Sequence, residues 1–226
     1  MDTFPFFDAG VIIILFTILV KLLMLPLSIK ASKSQLQMRS TEKDIADIKE
    51  KYKEDKQEQS KKIFEYYKDK KINPFSGIFI LLIQLPILIG LYQIFIKSGL
   101  PSVNIDILYS FVPNLTTIAN SMMFLGAISI SGKSLLLAVL AGVTTYFQIK
   151  ISTPTPNKDV VKKGDMQSEM ARAMAVQMKY VFPVIMVFIS YTISAAIALY
   201  FVTSNLFAIG QEIYVKRKYH KNILVV

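Results

Sequence analysis

Two unbroken apolar blocks constrain this chain more than any other feature. Residues 72–96 run for 25 positions without a charge, and residues 180–211 run for 32. About 20 apolar residues suffice for a helix to span the hydrocarbon core of a bilayer. With 53% hydrophobic residues and a mean hydropathy of +0.44, the chain falls in the membrane class. It contains no cysteine, which excludes disulfides, thiolate metal sites and a lipid anchor on a cysteine.

The formal charge of +10 is concentrated between the apolar blocks. Residues 30–72 carry 13 Lys/Arg against 9 Asp/Glu, residues 150–179 carry six against three, and residues 212–226 carry four against one. Elsewhere the only basic residues are Lys21, Lys97 and Lys133. A nucleic-acid binder would carry such charge on a folded surface. Here it punctuates apolar runs, which is the positive-inside pattern.

The spans follow from this punctuation. The first covers residues 9–29 within an N-terminal segment 1–29. The second covers 73–97, opening at Asn73-Pro74, where proline is tolerated in a first turn. The third covers 129–149, with Lys133 snorkelling to the interface. The block 180–211 is too long for one span, so residues 174–213 are read as two, turning at "SYTIS" (190–194). Two crossings also keep the basic loop 150–173 and the basic tail 214–226 on the same side.

The expected fold is therefore an all-α, five-helix polytopic membrane protein, N-terminus outside and C-terminus cytoplasmic. Residues 98–128 form an extracytoplasmic loop with interfacial pieces. Residues 30–72 form a charged cytoplasmic helical hairpin, with Ile45, Ile48 and Tyr52 on one helical face and Ile63, Phe64 and Tyr67 on another. That hairpin is either a solvated spacer or a docking element. A signal peptide is a poor reading of the N-terminus, because the charge follows the apolar run.

Lys21 interrupts the first span. No Asp or Glu falls inside the uncharged blocks, so a carboxylate partner within the spans is not expected. The ammonium can snorkel, lose its proton or line a wet recess. Thr17 lies one turn earlier on the same face. Gln84, Gln93, Thr144, Thr145, Gln148, Ser190, Thr192, Ser194, Thr203, Ser204 and Asn205 supply polar groups to the other spans. Each could simply bridge helices; together they can line a recess into which Lys21 points. Catalytic patterns are missing: there is one histidine, His220, and no HExxH, GxGxxG or phosphate-binding glycine loop. No metal site, cofactor or covalent catalysis is expected.

"TILVKLLMLPLSIKASKSQLQMR" (17–39), "KKINPFSGIFILLIQLPILIGLYQ" (70–93), "MKYVFPVIMVFIS" (178–190) and "IALYFVTSNLFAIGQ" (197–211) together resemble, in order and spacing, the YidC family of membrane protein insertases. The resemblance runs from about Gly10 to Ile213. It implies five helices around a hydrophilic groove open to the cytoplasm and to lipid, in a bacterial plasma membrane. The chain departs from larger relatives in size, and a minimal form without their extra N-terminal span and outer domain is expected. Lys21 takes the position of the groove's basic residue, usually arginine, and lacks that residue's bidentate fork. Thr17 and Tyr200 match polar positions that meet the passing substrate helix.

The expected substrate groove thus comprises Lys21, Thr17, Gln84, Gln148, Ser190, Tyr200, Ser204 and Asn205. Lys30, Lys33, Arg39, Lys216, Arg217 and Lys218 form the expected cytoplasmic docking set. Nascent membrane proteins, the ribosome and anionic lipids are the expected partners of a monomer, with the Sec translocon a further candidate. A small secondary transporter, a lipid scramblase and an assembly scaffold are the rival readings. The transporter would need coupled ions and internal repeats, and neither is visible.

Overall fold

A computed structural model describes residues 8–73, 75, 86–87, 89–90, 93, 123–152 and 166–223. Helix α1 (Ala9–Leu23) is followed after Met24 by α2 (Leu25–Ser40), α3 (Glu42–Lys51) and α4 (Lys56–Asp69). A two-strand antiparallel ribbon follows, β1 (Met123–Phe124) and β2 (Ile128–Ser129). The chain ends with α5 (Leu135–Ser152), α6 (Met166–Ile193) and α7 (Ala195–Ile223). Most of the predicted span 73–97, the loop 98–122 and the segment 153–165 lie outside the described residues.

Helix α7 is the axis of the bundle and packs against α5, α1, α2 and α6. Its first turns, Ala195 to Tyr200, are at most 4% exposed. The alanines there let neighbouring backbones approach closely. A buried helix start leaves amides that must find partners. The Ala195 amide donates to Gly132 O (2.7 Å) and the Ala196 amide to Ile130 O (3.1 Å). Ile130, Leu137, Ala195, Ala196, Ala198 and Leu199 form a cluster that Ala9, Ile13, Ile14, Phe124 and Ile128 extend.

The ribbon is tied to the start of α1. Asp8 caps the helix by accepting from the Val11 amide (2.8 Å), and its second carboxylate oxygen accepts from Leu125 N (2.6 Å). Gly10 faces the Phe124 ring so closely that a Cβ would strike it. These contacts define a ribbon end of the bundle, where α1, α5 and α7 begin. They run from there toward the basic end, and α6 returns.

Among the described residues, three helical stretches are long and apolar enough to cross a membrane: Leu135–Ser152, Ala173–Ile193 and Ala195–Tyr219. The pair α1–α2 makes a fourth if counted as one span, bent by 63°. The first predicted span is therefore not a single straight helix. Pro26 opens α2, where proline is tolerated, and the break falls at Met24. The outer faces carry exposed Leu19 and Leu23 on α1, Leu136 and Val143 on α5, and Val184 and Phe188 on α6. In water such a belt would be a large unfavourable surface; in hydrocarbon it is the expected one.

Helices α5 and α6 are in close contact at Gly142, where a Cβ would run into Val187 and stand 3.0 Å from Pro183 O. Pro183 lies inside α6 and removes one helical amide. The chain then breaks at Ser194, within the "SYTIS" stretch, and Ser194 Oγ accepts from Ile197 N (3.4 Å).

Helices α3 and α4 pack on one another. Gln59, 4% exposed, donates to Lys49 O (2.7 Å) and Tyr52 O (3.3 Å), satisfying carbonyls at the end of α3. Asp55 caps α4, accepting from Gln57 N and Glu58 N. At its far end the Ile72 amide donates to Tyr67 O (2.9 Å) across Lys71, whose φ of 53° is left-handed. That is a Schellman ending, with Ile72 buried as its apolar contact. Ser34 of α2 donates to Asn73 O (2.7 Å), anchoring the returning chain.

Candidate functional site

The site is built from one strip of α1 and the face of α7 that it meets. Gly10 and Thr17 are the buried residues of α1, and Lys21, one turn beyond Thr17, is half-buried. Leu15, Phe16, Leu19, Leu22 and Leu23 are exposed on the other side. Thr17 is 1% exposed, and its hydroxyl donates to Ile13 O (2.6 Å). Such a back-bond satisfies a hydroxyl within a helix, leaving its lone pairs available. Tyr200, 2% exposed, packs with Ile197 against Ile13, Ile87, Ile193 and Phe201. Thr17 thus stands one helical turn from Ile13, which packs against the cluster that Tyr200 forms with Ile197.

Other predicted groove residues are engaged between or within helices. Asn205 donates to Thr144 Oγ1 (3.2 Å) and Thr145 Oγ1 (2.8 Å), joining α7 to α5. Both threonines also donate to backbone carbonyls of their own helix. Gln148 donates to Ser152 Oγ (3.3 Å) along α5. Ser204 is buried on α7. Ser190 is fully buried on α6, and among the described residues its Oγ is the buried side-chain oxygen left without a hydrogen-bond partner. Gln93 is exposed, and Gln84 lies outside the described residues.

The basic set divides in two. Lys30, Arg39, Arg217 and Lys218 are exposed, with Lys218 donating to Tyr214 Oη (3.0 Å). Lys33 and Lys216, partly exposed, make contacts between helices. The Lys33 ammonium sits 3.6 Å from the centre of the Tyr219 ring. Lys216 donates to Ile151 O at the end of α5, a favourable place for a cation on a helix terminus. Its ammonium is also 4.0 Å from Glu212.

Glu212 corrects the expectation of carboxylate-free spans. It lies within the apolar stretch Ala195–Tyr219 and is 4% exposed. Next to it, Gln211 Oε1 accepts from Ser28 Oγ (2.7 Å). Sequence reasoning missed this residue because a charge was read as the edge of a span. The signal available was Lys216 four residues later, the favourable spacing for a helical ion pair.

No group of three or more His, Cys, Asp or Glu among the described residues could hold a metal ion. The helices instead offer a polar strip inside an apolar bundle and a charged collar at one end.

Comparison with known proteins gives a consistent result. The family described as "60Kd inner membrane protein" matches residues 3–222. The chain is 34% identical to the membrane protein insertase YidC of Clostridium tetani over 222 residues, 97% of this chain and 87% of that protein. It is 31% identical to the YidC insertase of Fusobacterium nucleatum over 209 residues, 92% of this chain and 86% of that one. Against the insertase of Francisella tularensis subsp. novicida the identity is 31% over 210 residues, which cover only 33% of that longer protein.

Proposed function

Since the chain belongs to the YidC family of membrane protein insertases, we propose that Lys21 is the charge by which it receives acidic tails of short hydrophobic substrates. The coarser role follows from membership. The protein is a multi-pass insertase and chaperone of membrane protein biogenesis in a bacterial inner membrane, and it works without covalent catalysis.

In the proposed arrangement five helices surround a hydrophilic groove, open to the cytoplasm and to lipid. The segment 73–97 supplies the remaining crossing, and residues 30–72 project as a cytoplasmic hairpin. The N-terminus lies outside and the tail inside. One observation carries this reading: Lys21 continues the buried strip of α1 that begins at Gly10 and includes Thr17. A cation on the interior side of a spanning helix is costly and marks a functional site by default.

The cycle needs no nucleotide. Exposed Lys30, Arg39, Arg217 and Lys218 receive the ribosome-bound chain or anionic headgroups. Lys21, in surroundings of lower dielectric than water, draws an acidic tail into the groove. A recess partway across shortens the apolar barrier, and the membrane potential assists a negative tail by about 2.3 kcal/mol per charge per 100 mV. The substrate helix passes Thr17 and Tyr200 into lipid, where burial of its apolar surface drives completion. Weak attraction at Lys21 keeps release easy.

The test is insertion of a single-span substrate with an acidic N-terminal tail by Lys21 variants. Lys21→Arg retains insertion, and Lys21→Glu loses it for acidic tails while sparing a neutral-tailed control. Equal insertion of acidic tails by the glutamate variant overturns charge capture. Full activity of Lys21→Ala leaves hydration, not charge, as the requirement, and overturns it equally.

A further inference from the structure

Helix α4 packs on α3 along one side and leaves the other uncovered. Gln59 is buried, and Lys62, Ile63, Tyr66 and Tyr67 are partly covered. Lys61, Phe64 and Lys68 are exposed, and their spacing of three and four residues puts them on one ridge. Phe64, at its centre, is 59% exposed. The carboxylates beside this ridge, Glu58 and Glu65, both face Lys62, at 3.8 Å and 2.8 Å. Lys61 stands 3.9 Å from Glu58, an exposed pair that water holds only weakly. Three lysines thus share two carboxylates, and at the end of the helix Asp69 is followed by Lys70 and Lys71. The outer face of α3 differs. Its exposed residues, Lys43, Asp44, Asp47, Glu50 and Lys51, mix both signs. The hairpin therefore has a basic side with an aromatic ring at its centre, and a side of mixed charge.

A single exposed phenylalanine is ordinary on a protein surface. Flanked by lysines, it matches a surface that is anionic at the top and apolar just beneath. A bilayer with anionic lipids is such a surface: lysine stems lie along apolar material with their ammonium groups among phosphates, and a phenyl ring enters the headgroup boundary. Duplex RNA offers phosphates too, but no apolar layer beneath them to take the ring. The position of the ridge also suits a bilayer. Ser34 of α2 holds Asn73 O (2.7 Å), so the end of the segment returns beside a helix that continues from α1 across the bend at Met24. Phe64 precedes Ile72 by eight residues, about 12 Å along a helix.

We propose that the Lys61–Phe64–Lys68 ridge docks the α3–α4 hairpin on the anionic cytoplasmic surface of the bilayer, with the Phe64 ring among the headgroups and the two lysines on lipid phosphates. One ring and two lysines make a weak dock, so the hairpin settles on the surface and lifts from it. The cytoplasmic placement rests on the insertase reading above; the docking is measured without insertion.

The chain has no tryptophan, so Phe64→Trp supplies a single indole at an exposed position. The full chain carrying it is reconstituted in vesicles of phosphatidylcholine, with and without phosphatidylglycerol. With phosphatidylglycerol, the emission shifts to the blue and is quenched by lipids brominated near the headgroup. In phosphatidylcholine alone, or at high salt, it is that of an indole in water. Lys61→Gln and Lys68→Gln, added singly to Phe64→Trp, each weaken the docking equilibrium about fivefold. Asp47→Trp, on the outer face of α3, stays unquenched in both lipids. Equal emission and quenching of the Phe64→Trp chain in the two lipids overturns the proposal, as does a shift that neither lysine substitution changes. A shift seen only on adding ribosomes assigns the ridge to them and overturns it too, and equal quenching at position 47 overturns the sidedness. Docking intact in vesicles that insert no substrate counts against the insertase reading alone.

Discussion

At the scale of single residues, chemistry is assigned by what surrounds each polar group. Asn205 and Thr145 are glue between α7 and α5. Interhelical hydrogen bonds in membranes contribute about 0.6 kcal/mol on average, at most roughly 1.7. Asn205→Leu is therefore expected to destabilise the bundle by about 1 kcal/mol, read by denaturant titration in detergent. A double-mutant cycle with Thr145→Ala should give a coupling of similar size; additivity would mean the bond is not made. Lys21 differs because it continues the buried strip of α1 beside exposed leucines, and its variants test charge rather than packing.

Tyr66 offers a pH test outside the spans. Its hydroxyl bonds to the Asp44 carboxylate, joining α4 to α3. Burial first, and then the bond and the negative charge of Asp44, raise its pKa from 10.0 to about 12. A folded-state pKa above the unfolded one stabilises the folded form fully below pH 10, and the contribution fades as pH rises toward about 12. Burial also raises the pKa of Tyr67, so ultraviolet titration should show a late-ionising component that loses one tyrosine's amplitude in Tyr66→Phe. No difference between the two titrations would mean that the α3–α4 bond is not formed.

Helical elements show where close packing substitutes for chemistry. Gly142 is where α5 meets Pro183 and Val187 of α6. Gly142→Val should cost about 1–3 kcal/mol, the usual range for overpacking, with partial recovery on Val187→Ala. A neutral Gly142→Val would place the crossing elsewhere. The break at Ser194 was legible in the sequence, since 32 uncharged positions exceed one span and "SYTIS" supplies the polar turn. The joint at Met24 was half legible: Pro26 falls inside the first expected span and disfavours a continuous helix there, but the bend depends on α2 finding a seat on α7. The ribbon at 123–129 had no local signature, for its two-residue strands are held by Asp8 and Phe124 contacts with α1. Glu212 was hidden for a similar reason. A charge near the end of an apolar run reads as a boundary until the fold shows Glu212 buried on a helix that α2 and α5 pack against.

On the scale of the whole molecule, charge placement and hydropathy announce a multi-pass bundle, and the order of quoted segments carries the family resemblance. The assembled protein adds the division of labour among its cations. Lys33 and Lys216 hold helices together, while Lys30, Arg39, Arg217 and Lys218 face outward. On the proposed cycle, which uses no nucleotide, the chain is expected to work as the sole protein in a membrane. The most direct measurement is insertion of a single-span substrate with an acidic N-terminal tail into proteoliposomes holding this chain and no Sec channel. Protection of the tail from external protease, dependent on the chain and lost in Lys21→Glu, is the predicted result. An unprotected tail, with the chain shown folded and correctly oriented in the same vesicles, would contradict the account.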